Sequence, residues 1–550
     1  MKISRAFAAF CIVALCQACH SAFAAALVDA AWVAKNLESP DVLVLDASPR
    51  PLHAKGHIPG AVPVDAMAMM SFGVRDVPHA QMDRMYQALG IDAAKKVVIY
   101  DQGGEWFAPR VFFQLQYDGF PADRLAILDG GMAKWQAEGL AVSKDPTPAP
   151  KPGTFSVASS NEALRSRVPD LFAASGNRSK EALVDALGPE YHYGATAFFN
   201  KAGHIPNSLL MPAEDLFNAD KTFKSPQEIR RMAAHLGITP EQEVHSYCGG
   251  GGAAAVPYFA LREIAGYPKV RLSVESEMGW MQDDRDLAMW TYGTPALMRD
   301  GEWLPSWGGR MMRMVGIARL SVIDVRPAEA YAQGHVPFAV NVPAGTFRAN
   351  MKDVGALARV LGAAGVDPSH EAVIVSGGGV TRDAALAYVA LEKLGQRKVS
   401  IFTDSLDSVD ALDRMSRKGF AVTKEATVVG RPQKPTDMAV MPVSYTASVR
   451  EGVIAAGGKQ GAVEPVVFIA SGAAVPTRPV PGKVIHVPYT QLLKADGMPK
   501  EAKDIWTVLA KAGVPRYAGI VTFSDDPGEA AANYYVLQLM GFTEVRVLVP

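Results

Sequence analysis

The sequence predicts an α/β protein made of four related units, each a mainly parallel sheet flanked by helices. Three observations carry this. A strand-and-turn motif recurs four times, a second buried-strand motif follows each copy and leads into a helical pattern, and Pro-rich or loose stretches fall between the copies. At 550 residues the chain exceeds what one hydrophobic core organises, and length alone suggests roughly three to five domains.

The first marker is plain by inspection. Leu43-Val44-Leu45-Asp46-Ala47 leads to Gly56-His57-Ile58-Pro59, and Ala182-Leu183-Val184-Asp185-Ala186 leads to Gly203-His204-Ile205-Pro206. Ser321-Val322-Ile323-Asp324-Val325-Arg326 leads to Gly334-His335-Val336-Pro337, and a worn fourth copy runs from Val466-Val467-Phe468-Ile469 to Ile485-His486-Val487-Pro488. Each opening is a short apolar run of strand type, and each Gly/Pro cluster reads as a turn. Internal repeats of this kind set the architecture before any single element does.

The second marker is a buried strand: Lys96-Val97-Val98-Ile99-Tyr100, Glu243-Val244-His245-Ser246-Tyr247, Ala372-Val373-Ile374-Val375 and Gly519-Ile520-Val521-Thr522-Phe523. Just past these strands stand Asp101, Cys248, Ser376 and Ser524, spaced by 147, 128 and 148 residues. A small-residue turn and a helical pattern follow, and strands alternating with helices build a parallel sheet. The boundaries drawn from these markers place units at 25–145, 155–297, 300–424 and 437–550. The Pro-rich spacer Lys144 to Gly153 and the looser stretch Lys424 to Thr436 fall between them. The near-equal outer spacings hint at two pairs of units.

Residues 1–24 read as a secretory signal: Lys2 and Arg5, an apolar run from Ala6 to Leu15, then Ser21-Ala22-Phe23-Ala24-Ala25 with cleavage after Ala24. The expectation is a periplasmic protein with no membrane association after cleavage. A formal net charge of −1 gives no electrostatic case for a nucleic-acid partner. Cys11, Cys16 and Cys19 all lie in the signal, so the haem-attachment pattern Cys16-Gln17-Ala18-Cys19-His20 is read as chance composition in a discarded peptide. The mature chain then keeps Cys248 alone, and no intramolecular disulfide can form.

Tyr247-Cys248-Gly249-Gly250-Gly251-Gly252-Ala253-Ala254 is the most informative stretch. A strand end, a nucleophile, glycines and a helix make a cradle in which backbone N–H groups can converge on the sulfur. Together with the positive end of the following helix, this arrangement predicts a thiol pKa lowered toward neutrality. A buried free cysteine is ordinarily core filler, but filler does not require four following glycines. The recurring His57, His204 and His335 and the strand-end Asp46, Asp185 and Asp324 read as fold-keeping residues, with Arg326 a natural partner for Asp324.

A strand ending in Asp, a downstream Gly-His-Ile-Pro turn and a Tyr-Cys-Gly-Gly-Gly loop before a helix resemble the rhodanese (thiosulfate sulfurtransferase) family. Asp129-Gly130-Gly131-Met132-Ala133-Lys134-Trp135 is similar to the family's late Gly-Gly-x-x-x-Trp signature, of which the second unit keeps Glu277-Met278-Gly279-Trp280. The resemblance covers nearly the whole mature chain as four rhodanese-like domains. It implies a catalytic second domain in which the Cys248 thiolate takes sulfane sulfur from thiosulfate or a similar donor as a persulfide. A thiol or cyanide acceptor, or a protein sulfur acceptor, then removes it. No cofactor or metal is implied. Gly249, Gly250, Gly251, Gly252 and Ala253 would supply the electrostatic cradle, and the domains holding Asp101, Ser376 and Ser524 would be inactive.

Departures from the family matter as well. The loop carries no Arg or Lys, which leaves a 3-mercaptopyruvate-type donor open and makes His245, Arg165, Arg167 and Lys201 the candidate sources of positive charge, with Trp280 a candidate wall. Leu187 stands where an Arg commonly follows the strand-end Asp. A related phosphatase would need an Arg closing a longer loop, but residue 254 is Ala and the next Arg is Arg262. The alternative to turnover is a sulfur carrier or protein-docking scaffold built from the same repeats.

Overall fold

The structure is a computed structural model that describes residues 26–431, 440–454 and 464–548. The expected export signal over 1–24, with Cys11, Cys16 and Cys19, lies outside them. So does part of the expected linker between the third and fourth units. Among the described residues no helix is long and apolar enough to cross a membrane.

Four separate sheets form, and every strand pair in them is parallel. The first runs Leu27–Val28, Leu125–Leu128, Lys96–Tyr100, Val42–Asp46, Val62–Pro63 across its width. The second repeats that order with Arg165–Ser166, Val270–Ser273, Glu243–Tyr247, Glu181–Asp185 and Leu209–Leu210. The third uses Met298–Arg299, Lys398–Phe402, Glu371–Val375, Leu320–Asp324 and Val340–Asn341. Its edge strand thus begins two residues before the boundary drawn at 300 from sequence. The fourth keeps the same order with Val545–Leu548, Ala518–Phe523, Glu464–Ala470 and Lys483–His486. Among the described residues its outer edge beside Val545–Leu548 carries one bridge, Ile454 to Val547.

The central strands are apolar on both faces because helices cover both faces of a parallel sheet. Val97, Val98, Ile99 and Tyr100 are all fully buried, as are Val373, Ile374 and Val375. The recurring turn histidines hold the fold. Nδ1 of His57, His204 and His335 bonds the carbonyls of His53, His192 and Tyr331 at 3.0, 2.7 and 2.8 Å. Each ring stacks on the side chain of that same residue, at 4.0, 3.7 and 3.7 Å between centroids. The strand-end carboxylates behave alike. Asp46 takes the Ser48 N–H and His53 Nδ1, Asp185 takes the Leu187 N–H and His192 Nδ1, and Asp324 is gripped by Arg326. His192 therefore fills the partner role that Leu187 cannot.

The chain divides into two compact units at Thr291/Tyr292, each holding two sheets. Within the first, the helix Phe107–Tyr117 packs on Ala255–Phe259: Phe112 meets Phe259 and Phe113 meets Tyr258 edge-on, at 4.9 and 5.1 Å. Within the second, Arg382–Lys393 and Pro527–Met540 pair in the same way, with Tyr388 against Tyr535 at 5.0 Å. Because these helices follow the strand-end loops directly, their packing brings the two loops of each unit close together.

Candidate active site

Cys248 follows the central strand Glu243–Tyr247 and is 3% exposed, the free cysteine among the described residues. The Gly251 N–H donates to Sγ at 3.1 Å, and the amides of Gly250 and Ala254 also face the sulfur. Gly250 and Gly251 belong to the expected stretch Gly249 to Ala253. Gly249 turns its carbonyl to the Met278 N–H, while Gly252 and Ala253 accept from Ala255 and Val256 at the start of the helix. Ala254, one residue beyond that stretch, supplies an amide as well.

The glycines serve different purposes. Gly251 has φ +81°, and a Cβ there would lie 2.3 Å from the Val274 carbonyl oxygen. Gly249 and Gly252 have ordinary φ and admit rings instead: a Cβ would lie 2.5 Å from the Phe198 ring at one and 2.9 Å from the Trp106 ring at the other. At Gly250 a Cβ would meet nothing within 4 Å. The fold thus requires glycine at Gly251 for one reason and at Gly249 and Gly252 for another, and leaves room for a side chain at Gly250.

A second strap, 273–278, ties the loop down. Ser276 Oγ accepts the Cys248 N–H at 3.1 Å while donating to the Ser273 carbonyl at 2.7 Å, and the Glu277 N–H donates to the Cys248 carbonyl at 3.0 Å. Ser276 holds φ +50°, the left-handed conformation that Gly131 adopts at φ +54°. Both residues stand four positions before a buried Trp, Trp280 and Trp135. Where the first domain has Gly131, Ser276 takes a strained left-handed backbone and supplies the hydroxyl that ties down Cys248. That spacing was the signal that could have found it.

The thiol pKa departs from expectation. Burial pushes Cys248 above the ordinary thiol value, the amides of Ala254, Gly250 and Gly251 pull it back, and the Glu277 carboxyl adds to the rise. Desolvation of a fully enclosed sulfur outweighs three peptide dipoles. Glu277 is 1% exposed, and its Oε1 has no hydrogen-bond partner. Burial, then the charge of Asp185, hold its carboxyl far above the usual carboxylate range. Burial also raises Asp185.

None of the candidate cations is free to serve the loop. Arg165 pairs with Asp76 and with Glu275 at 2.5 Å, Arg167 with Asp76 at 2.9 Å and Glu162 at 3.2 Å, and Lys201 with Asp286 at 2.5 Å. His245 bonds Ser166 Oγ at 2.7 Å, and burial pushes its pKa down to about 4, so it is neutral at pH 7. Trp280 lies in the core beside Tyr247, its Nε1 donating to the Ala288 carbonyl, and does not wall the site.

The counterpart loops are closed. Asp101 accepts the Gly103 and Ala108 N–H groups at 2.8 and 3.0 Å, capping its own loop, and Lys221 lies over Gly103 and Gly104. Gly379, past Ser376, abuts Gly497, and the Val380 N–H donates to the Gly497 carbonyl. Ser524 donates to Glu529 at 2.6 Å. In each unit a turn from the second sheet's domain plugs the first domain's loop.

Three regions, residues 29–138, 169–283 and 309–411, match the rhodanese-like domain family. The chain belongs to that family. The fourth sheet lies outside the matched regions. The sulfur carrier protein TtuD of Thermus thermophilus is 31% identical over 258 residues, 44% of this chain and 90% of the relative. Putative thiosulfate sulfurtransferase 2 of Mycobacterium bovis is 27% identical over 258 residues, 45% of this chain and 79% of the relative. Among solved structures, an anaerobic ergothioneine biosynthesis enzyme from Chlorobium limicola is 23% identical, with a TM-score of 0.43, over 48% of this chain and 70% of its own. The Escherichia coli 3-mercaptopyruvate sulfotransferase SseA is 25% identical, with a TM-score of 0.40, over 46% and 98%.

Proposed function

We propose that the chain is an exported, periplasmic sulfurtransferase that moves sulfane sulfur from thiosulfate or a similar donor, 3-mercaptopyruvate included, to a thiophilic acceptor through a persulfide on Cys248. The carrying observation is the convergence of the Gly250, Gly251 and Ala254 amides on Sγ. They complement a thiolate, and they complement the terminal sulfur of a persulfide anion in the same way. The thiolate attacks the outer sulfur of the donor, a new S–S bond forms, and the donor's own S–S bond (the C–S bond of a mercaptopyruvate) breaks with its electron pair leaving on the donor remnant. A thiol or cyanide then takes the sulfur and regenerates the thiolate, a two-step exchange of ping-pong form. The names of the curated relatives support this reading.

Incubation of the purified protein with sulfane donors, followed by intact mass measurement, tests it: one added sulfur atom is expected, lost in Cys248→Ser. An unchanged mass with every donor overturns it. A sulfur-carrier role is the second reading, favoured by the enclosure of Cys248 at 3% exposure. Ready loading with slow release to small thiols, and fast release to a protein acceptor, distinguishes it. A mature N-terminus at Ala25 in the expressed protein tests export.

A further inference from the structure

The approach to Cys248 is framed by two aromatic side chains that come from outside its own loop. Trp106 belongs to the strand-end loop of the first domain, and its ring lies over Gly252; the Phe198 ring lies over Gly249. Phe198 sits on extra chain. Eleven residues separate Asp46 from His57 and Asp324 from His335, but nineteen separate Asp185 from His204. The repeat that carries the cysteine therefore has eight more residues here than the first and third repeats. The added segment places Phe198 on the loop with 47% of the residue still exposed, Tyr191 beside it at 5.8 Å and Phe199 at 5.0 Å. Between the two covered glycines, a Cβ at Gly250 would meet nothing within 4 Å.

We propose that Phe198, together with Trp106, makes this entrance selective for sulfane donors that carry an organic group, alkyl or aryl persulfides, over inorganic thiosulfate. The inference rests on the sulfur-transfer reading and deepens it. Two physical arguments carry it. Aromatic faces hold the negative side of the ring quadrupole and offer apolar area, so they attract a hydrocarbon substituent and disfavour a dianion. Of the cations the sequence offers for the two charges of thiosulfate, Arg165, Arg167 and Lys201 are each tied to carboxylates. A persulfide RSSH brings its terminal sulfur to Cys248 with its R group between the rings. The thiolate bonds to that terminal sulfur, the S–S bond of RSSH breaks, and the electron pair leaves on RS⁻. The products are the Cys248 persulfide and the thiolate of R, with no oxidant or reductant required.

The test compares rates of sulfur loading on the Cys248 peptide, by mass spectrometry, from benzyl persulfide generated in situ and from thiosulfate. The full chain is used as wild type, Phe198→Ala and Phe198→Tyr. Wild type is expected to favour the organic donor by about tenfold or more, the scale of one good aromatic contact lining the path. Phe198→Ala should shrink that ratio mainly by slowing the organic donor, and Phe198→Tyr should restore it. Phe198 is half-exposed, so an unchanged melting temperature is expected for both variants. Equal or faster loading from thiosulfate in wild type, or a ratio unmoved in Phe198→Ala, overturns the inference while leaving sulfur transfer standing. Loading from neither donor overturns both.

Discussion

Replacing Glu277 with Gln should stabilise the second domain, and by an amount that grows with pH. In the folded chain this carboxyl is 1% exposed with one oxygen unpartnered, so burial and the neighbouring Asp185 keep it protonated well above its ordinary value of 4.5. The unfolded chain releases that proton just above the ordinary value. Between the two pKa values the folded state binds the extra proton, so wild-type stability falls as pH rises. The slope is about 1.4 kcal/mol per pH unit. Glutamine keeps the shape and does not titrate. The two proteins should match near pH 4 and differ by ~3 kcal/mol at pH 7, the variant being the more stable. Because a chain of several domains does not unfold in one step, the assay must be local. Alkylation of the Cys248 peptide across a urea series, at several values between about pH 5 and pH 8, reports opening of this domain alone. Midpoints of wild type and variant that stay parallel across that range would show the carboxylate ionised in the fold and refute the reasoning.

Two further outcomes follow from the geometry of the loop. Gly251→Ala should abolish persulfide formation, since its Cβ would meet the Val274 carbonyl at 2.3 Å in a left-handed backbone, whereas Gly250→Ala should fold normally and load sulfur; intact mass after donor treatment separates them. Alkylation of folded Cys248 by iodoacetamide should rise about tenfold per pH unit beyond pH 8 without levelling below the ordinary thiol value of 9, because the raised thiol keeps the thiolate a minority there; a plateau near neutral pH would show that the amides outweigh burial after all.

The repeated parallel architecture and the cysteine were legible in the sequence because both are local signals. Strand runs such as Val97-Val98-Ile99-Tyr100 must be apolar on both faces, and the turns need Gly and Pro at fixed offsets. The glycine run after Cys248 announced a curled backbone for the same reason. Arg326 on Asp324 was also readable, since the partners are two residues apart.

What the sequence could not decide depends on distance through space. Whether an amide reaches Sγ is set by where the chain lies after the helix docks, which is why Ala254 joins Gly250 and Gly251 around the sulfur. The sign of the thiol shift was a contest between dipoles visible in the sequence and desolvation visible only in the packed interior, and desolvation prevailed. Trp106, Phe198 and Ser276 reach the loop from 142, 50 and 28 residues away, so no local pattern ties them to Cys248. Local chemistry specified the nucleophile and its sheet; tertiary packing specified how deeply it is enclosed, what holds it still and which surfaces a donor must pass.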